Sequence, residues 1–148
     1  DEADLRDLDA AFDIDGAWLD ALLGGTVAPD PVIHASARWS LGELDGTRLS
    51  FTDGAAAPGS DRWWFAAAAE ASPDAVEDGD VVGSVVGWAD DHGARWAQVC
   101  DERGDPVPCK LEGICAGPDG RLVGVCDPDD VERPGEWLEL ALDGPWPR

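Results

Sequence analysis

The sequence predicts an all-β chain, a partial β-propeller built of four-stranded antiparallel blades, with one short helix. Three observations carry that prediction. A strand-turn-strand segment occurs twice in the same order. Val and Trp gather in short runs that Gly, Pro and Asp interrupt. A length of 148 residues with 44% hydrophobic content supplies one ordinary core, and four-stranded units recurring within it have the spacing of propeller blades.

The duplication is visible in particular residues. Ala37-Arg38-Trp39 returns as Ala94-Arg95-Trp96, and Asp53-Gly54-Ala55-Ala56-Ala57 as Glu112-Gly113-Ile114-Cys115-Ala116. A turn follows each acidic-Gly pair, Pro58-Gly59-Ser60-Asp61 in one case and Gly117-Pro118-Asp119-Gly120 in the other. Arg62 or Arg121 then opens an apolar strand, Trp63 to Ala67 or Leu122 to Cys126, which runs on into an acidic loop. Pieces that keep their order over such a length read as a repeat.

Strands are expected at 36–42, 49–57, 62–69, 81–89, 94–101, 109–116, 121–127 and 136–142. The one helix is expected over Gly16 to Leu23, capped by Asp15, with an apolar stripe of Ala17, Trp18, Ala21 and Leu22 and a stop at Gly24-Gly25. The whole of 1–148 reads as a single all-β region. Within it 49–101 makes a complete blade, and 36–42, with a strand near Asp4 to Asp9, belongs to the outer part of a preceding one. The stretch 109–142 makes a three-stranded, incomplete blade. A ring needs at least four blades, and open sheet edges invite pairing. The expected partner is therefore a second polypeptide or a second copy that completes the propeller. A self-contained sandwich is the competing architecture for this length.

The segments Leu49-Ser50-Phe51-Thr52-Asp53, Phe65-Ala66-Ala67-Ala68-Ala69-Glu70, Asp78-Gly79-Asp80-Val81-Val82-Gly83-Ser84, Lys110-Leu111-Glu112-Gly113 and Asp127-Pro128-Asp129-Asp130 carry a likeness. They resemble, in order, the C-terminal half of a bacterial family of uncharacterised β-propellers. That family is itself distantly similar to phytase-like and esterase-like propellers. The resemblance runs from about Asp7 to Leu142 and implies a fold but no reaction; the cysteines lie outside its pattern.

Charge excludes some partners. With 32 acidic against 10 basic residues, and a net charge of -22, the surface repels phosphate backbones and anionic lipid, so neither nucleic acid nor membrane is expected as a partner. The acids are spread along the chain, as in a solvated or salt-adapted surface. There is no methionine, which suggests that Asp1 arises from processing or trimming. Cys100, Cys109, Cys115 and Cys126 lack zinc-knuckle spacing and read as free, buried thiols, with a cytoplasmic setting preferred to a secreted one. A symmetric hairpin centred on Arg103-Gly104-Asp105-Pro106 places Cys100 opposite Cys109, within reach of a disulfide.

The candidate functional residues follow from the repeat. Asp53 and Glu112 occupy matching positions on innermost strands and are expected to face a central channel with Lys110, the sole lysine. Paired carboxylates there suit a hard cation or acid-base work, and the bland alternative is that each accepts backbone N–H groups. Ca2+ is considered at Asp74, Glu77, Asp78 and Asp80, and again at Asp127, Asp129 and Asp130, because several loop oxygens can hold a hard cation. Gly83-Ser84-Val85-Val86-Gly87 sets its serine one place early for a nucleophile elbow and suits tight strand packing instead. His34 and His92 lack a nucleophile at a suggestive position. The reading that results is a binding or scaffold module of unassigned activity. The alternative is a metal-dependent hydrolase of the phosphoester class using channel-facing carboxylates.

Overall fold

The structure, a computed structural model, describes residues 8–26, 30–31, 33–57, 59–71, 79–117, 119, 121–128 and 132–143. The chain is mostly β, with antiparallel pairing throughout and one short helix. It divides into two compact units, Asp1–Ser40 and Leu41–Arg148.

In the first unit β1 (Asp9–Ile14) pairs with β2 (Ile33–Trp39), from Asp9 opposite Trp39 to Ile14 opposite Ile33. The connection holds α1 (Gly16–Leu23) at the predicted limits. Asp15 starts it, because its carboxylate accepts the Ala17 N–H at 2.7 Å and satisfies a donor that the first turn leaves open. Gly24 N–H closes the last turn onto the Asp20 carbonyl at 2.9 Å, and Gly25 follows at φ 71°.

The second unit holds two sheets. One runs β3 (Glu43–Leu44), β4 (Thr47–Ala56), β5 (Trp63–Ala71), β6 (Asp80–Asp90) and β7 (Gly93–Gln98) in sequential order. The other runs β8 (Lys110–Ala116), β9 (Leu122–Asp127) and β10 (Glu136–Leu140), with β9 central. Asp45-Gly46, both at positive φ, makes the two-residue turn from β3 to β4. The β6–β7 turn is tied by the Asp90 carboxylate, which accepts the His92 N–H at 2.8 Å.

The central strand β5 is buried from Trp64 to Ala69 without alternation, as a strand covered on both faces should be. On one face Trp64 and Ala66, with Val86 of β6, pack against Leu111, Ile114, Leu122 and Cys126 of the three-stranded sheet. On the other face Phe65 packs edge-on to Phe51, their centroids 5.0 Å apart. Small residues allow these contacts. A Cβ on Gly87 would lie 2.3 Å from the Arg95 carbonyl and 2.4 Å from the Phe65 ring, so the motif around Ser84 is a packing motif.

Two expectations are corrected. The hairpin after β7 is tighter than the symmetric one: Asp101 N–H bonds the Asp105 carbonyl at 2.8 Å, Val107 N–H bonds the Val99 carbonyl at 3.1 Å, and Cys100 faces Pro106. The Asp101 carboxylate draws the loop in by accepting the Arg103 and Asp105 N–H groups, and Gly104 turns it at φ 87°. Cys109 is thereby removed from Cys100 and joins Cys126 in a disulfide, with Cα atoms 5.9 Å apart. Cys100 and Cys115 are free but exposed, where buried thiols were expected.

Gly87→Ala forces either the β6–β7 backbone or the Phe65 ring aside and is expected to cost about 1–3 kcal/mol. Urea unfolding of the two proteins measures it; an unchanged midpoint refutes the close packing at this position.

Candidate functional site

Strand β8 pairs with β9 along one edge only. Its other edge meets the five-stranded sheet, where side chains take the place of a neighbouring strand. Ser84, fully buried in β6, donates its hydroxyl to the Cys109 carbonyl at 2.7 Å and accepts the Leu111 N–H at 2.9 Å. Thr52 of β4 donates its hydroxyl to the Leu111 carbonyl. Asp53 of β4 accepts the Ile114 N–H at 2.8 Å through Oδ2. Buried backbone groups must find partners, and three polar side chains supply them here.

Lys110 extends the same junction by charge. Its Nζ lies 3.1 Å from Glu112 Oε1 and 3.4 Å from Glu70 Oε2, so the ammonium bridges the two sheets. Glu70 is itself oriented by the Gly79 N–H, which donates to its Oε1 at 2.8 Å. Partial burial opposes the lysine's charge, but hydrogen bonds and charge from Glu112, then Glu70, outweigh it and raise its pKa above the ordinary 10.5.

The three candidates from the sequence thus take different places. Lys110 and Glu112 are together, as their spacing on one strand predicts. Asp53 is engaged with a backbone N–H. The strand register also shifts their correspondence by one residue. Pairing of β4 with β5 skips Thr52 between Phe51 and Asp53, and pairing of β8 with β9 skips Glu112 between Leu111 and Gly113. Asp53 therefore stands where Gly113 does, and Glu112 where Thr52 does. Sequence reasoning missed Glu70, Thr52 and the bonding role of Ser84. A lone hydroxyl between Gly83 and Val85 in an apolar strand was the available signal for the last.

Beside the junction lies a cavity of about 600 Å3 lined by Cys109, Lys110, Cys126, Asp127, Arg133 and Glu136, among others. Asp80, from the acidic loop considered for Ca2+, also lines it. Asp74, Glu77, Asp78, Asp129 and Asp130 lie outside the described residues. Among the described residues no three His, Cys, Asp or Glu side chains gather as a metal site. His34 faces Asp15 at 3.9 Å, in the first unit.

A second polar group sits at the other end of the five-stranded sheet. The Arg62 guanidinium lies 4.5 Å from the centre of the Trp88 ring, and its Nε is 3.3 Å from Asp90. The His92 N–H lowers the Asp90 pKa below its usual value. Arg62 joins the β4–β5 and β6–β7 turns.

With this geometry in hand, comparison places the chain in a family. The chain belongs to DUF6910, a family of unknown function. The family's profile matches residues 4–131 and so spans the helix, the five-stranded sheet of the second unit, and β8 and β9 of the other sheet, but stops short of β10. No curated protein and no solved structure matches the chain. For this DUF6910 member the chemistry must be argued from its own residues.

Ser84→Ala leaves the Leu111 N–H without an acceptor and is expected to cost about 1–3 kcal/mol, read from urea unfolding; a cost near zero contradicts the junction. A raised lysine pKa stabilises fully below pH 10.5 and progressively less as the pH climbs beyond that value. Unfolding followed between about pH 9 and about pH 11 should show an alkaline decline that is smaller in Lys110→Met. Equal declines in both proteins refute the bridging role.

Proposed function

We propose that the chain is a β-propeller binding or scaffold module of two successive blades, completed by further blades of a second polypeptide. One observation carries this reading, the sense in which the sheets stack. Counted from the skipped residues Thr52 and Glu112, Trp64 and Ala66 correspond to Val123 and Val125, and Trp63, Phe65 and Ala67 correspond to Leu122, Gly124 and Cys126. The five-stranded sheet presents Trp64 and Ala66 to its neighbour, which answers with Leu122 and Cys126. Corresponding strands therefore meet through opposite sides. Halves of a sandwich related by a two-fold axis would meet through the same side, whereas units in a rotational series meet front to back.

A front-to-back series leaves one front open. On the three-stranded sheet the positions matching the buried Trp64, Ala66 and Val86 are Val123, Val125 and Trp137. Trp137 is 69% and Val125 42% exposed, and the two lie opposite each other on β10 and β9. Apolar area of this kind is favourably covered. The back that fits it is a β-sheet of small and aliphatic residues, like the face formed by Leu111, Leu122, Gly124 and Cys126. A net charge of -22 makes a different polypeptide a better occupant than a second copy. The carboxylates lend no specific support to a phosphoester hydrolase, since Asp53 and Glu112 are each engaged within the junction.

A benzophenone amino acid placed at Val125 or Trp137 of the full chain, in its native cells, tests the reading. The expected product is heavier than the 15.6 kDa chain, and its cross-linked peptide comes from a β-strand of a second polypeptide. Cross-links to a second copy, or none beyond solvent, overturn the assignment of the partner.

A further inference from the structure

The chain's one observed disulfide sits on the stretch that joins the sheets. Cys109-Lys110-Leu111 carries the bonds to Ser84, the ion pair to Glu70 and the acceptor for Thr52. Cys109 stands just ahead of β8, whose pairing begins with Lys110 opposite Asp127, so the disulfide is what fastens this lead-in to β9. Cys126 is 1% exposed within the core shared by the two sheets, opposite Leu111. Both cysteines line the cavity of about 600 Å3, which Lys110 and Arg133 also border. The cavity gives a reductant a route to the sulfurs.

We propose that Cys109–Cys126 is a redox switch that, when oxidised, fastens the lead-in of β8 to β9 and so holds it where Ser84 of the five-stranded sheet bonds it, and that, when reduced by a dithiol, lets this stretch leave. A thiolate of the dithiol attacks Cys109 Sγ, the less buried sulfur, and forms a mixed disulfide as the bond to Cys126 breaks. Cys126 leaves as a thiolate and takes up a proton. The second thiol of the reductant then displaces Cys109, which is protonated in turn. Two electrons pass to the chain, and the dithiol departs as its own disulfide. Reduction opens a loop of sequence separation 17 and frees Cys109, Lys110 and Leu111 to leave Ser84. The inference rests on the described junction and does not need further blades.

Lys110 is the sole lysine, so a lysine-specific protease cuts the chain only within the clamped stretch. Thiol mapping with N-ethylmaleimide first establishes Cys109–Cys126 in the oxidised full-length chain. Dithiothreitol is then expected to raise the rate of cleavage after Lys110 about tenfold or more under native conditions. Cleavage by an arginine-specific protease at Arg95, in β7, should stay unchanged, which separates local release from global unfolding. The Cys109→Ser/Cys126→Ser protein should be cut quickly with or without reductant, and Cys100→Ser/Cys115→Ser should keep the wild-type response. Four free thiols after oxidation, equal cleavage in both redox states, or a parallel rise at Arg95 each overturn the switch.

Discussion

The second unit depends on how β8 satisfies the edge that no strand covers. An unpaired strand edge buried against another sheet would leave several N–H and C=O groups without partners, each a substantial penalty. Ser84, Thr52 and Asp53 meet that demand from the five-stranded sheet. The Ser84 hydroxyl serves twice, as donor to the Cys109 carbonyl and as acceptor from the Leu111 N–H. Because these partners are fixed on β4 and β6, they set the depth and angle at which the second sheet is placed. The apolar contacts among Trp64, Val86, Leu111 and Leu122 follow from that placement.

Small residues make the arrangement possible. Gly87 admits the Phe65 ring, and Gly124 admits Leu111, whose Cδ1 would stand 2.5 Å from a Cβ there. The alanines of β5 let both faces of that strand be covered closely. A chain with so few cations uses them sparingly: Lys110 binds the two sheets through Glu70 and Glu112, and Arg62 binds two turns through Asp90 and Trp88. The Arg62 pair, with its guanidinium substantially exposed, specifies geometry more than it adds stability, since exposed pairs contribute little.

Local features were legible in the sequence because they depend on neighbours. Asp15 and Gly24-Gly25 delimit α1, and Lys110 reaches Glu112 from two residues away. Apart from β3, which was not expected, the strands of the second unit were legible within a few residues, with the end of β7 moved where Asp101 turns the chain. The long-range contacts were not. Ser84 meets Cys109 and Glu70 meets Lys110 only after the sheets have stacked, and no spacing along the chain encodes those distances. The one-residue shift between Asp53 and Glu112 had the same origin, because a bulge is a property of strand pairing.

Amide exchange at single residues tests the junction most directly. Leu111 and Ile114 donate to side chains of another sheet. If those side chains hold the two sheets together, both amides exchange as slowly as the β8–β9 ladder and lose protection together in Ser84→Ala. Rapid exchange at Leu111 and Ile114 in a chain whose β8–β9 amides remain protected would contradict the account.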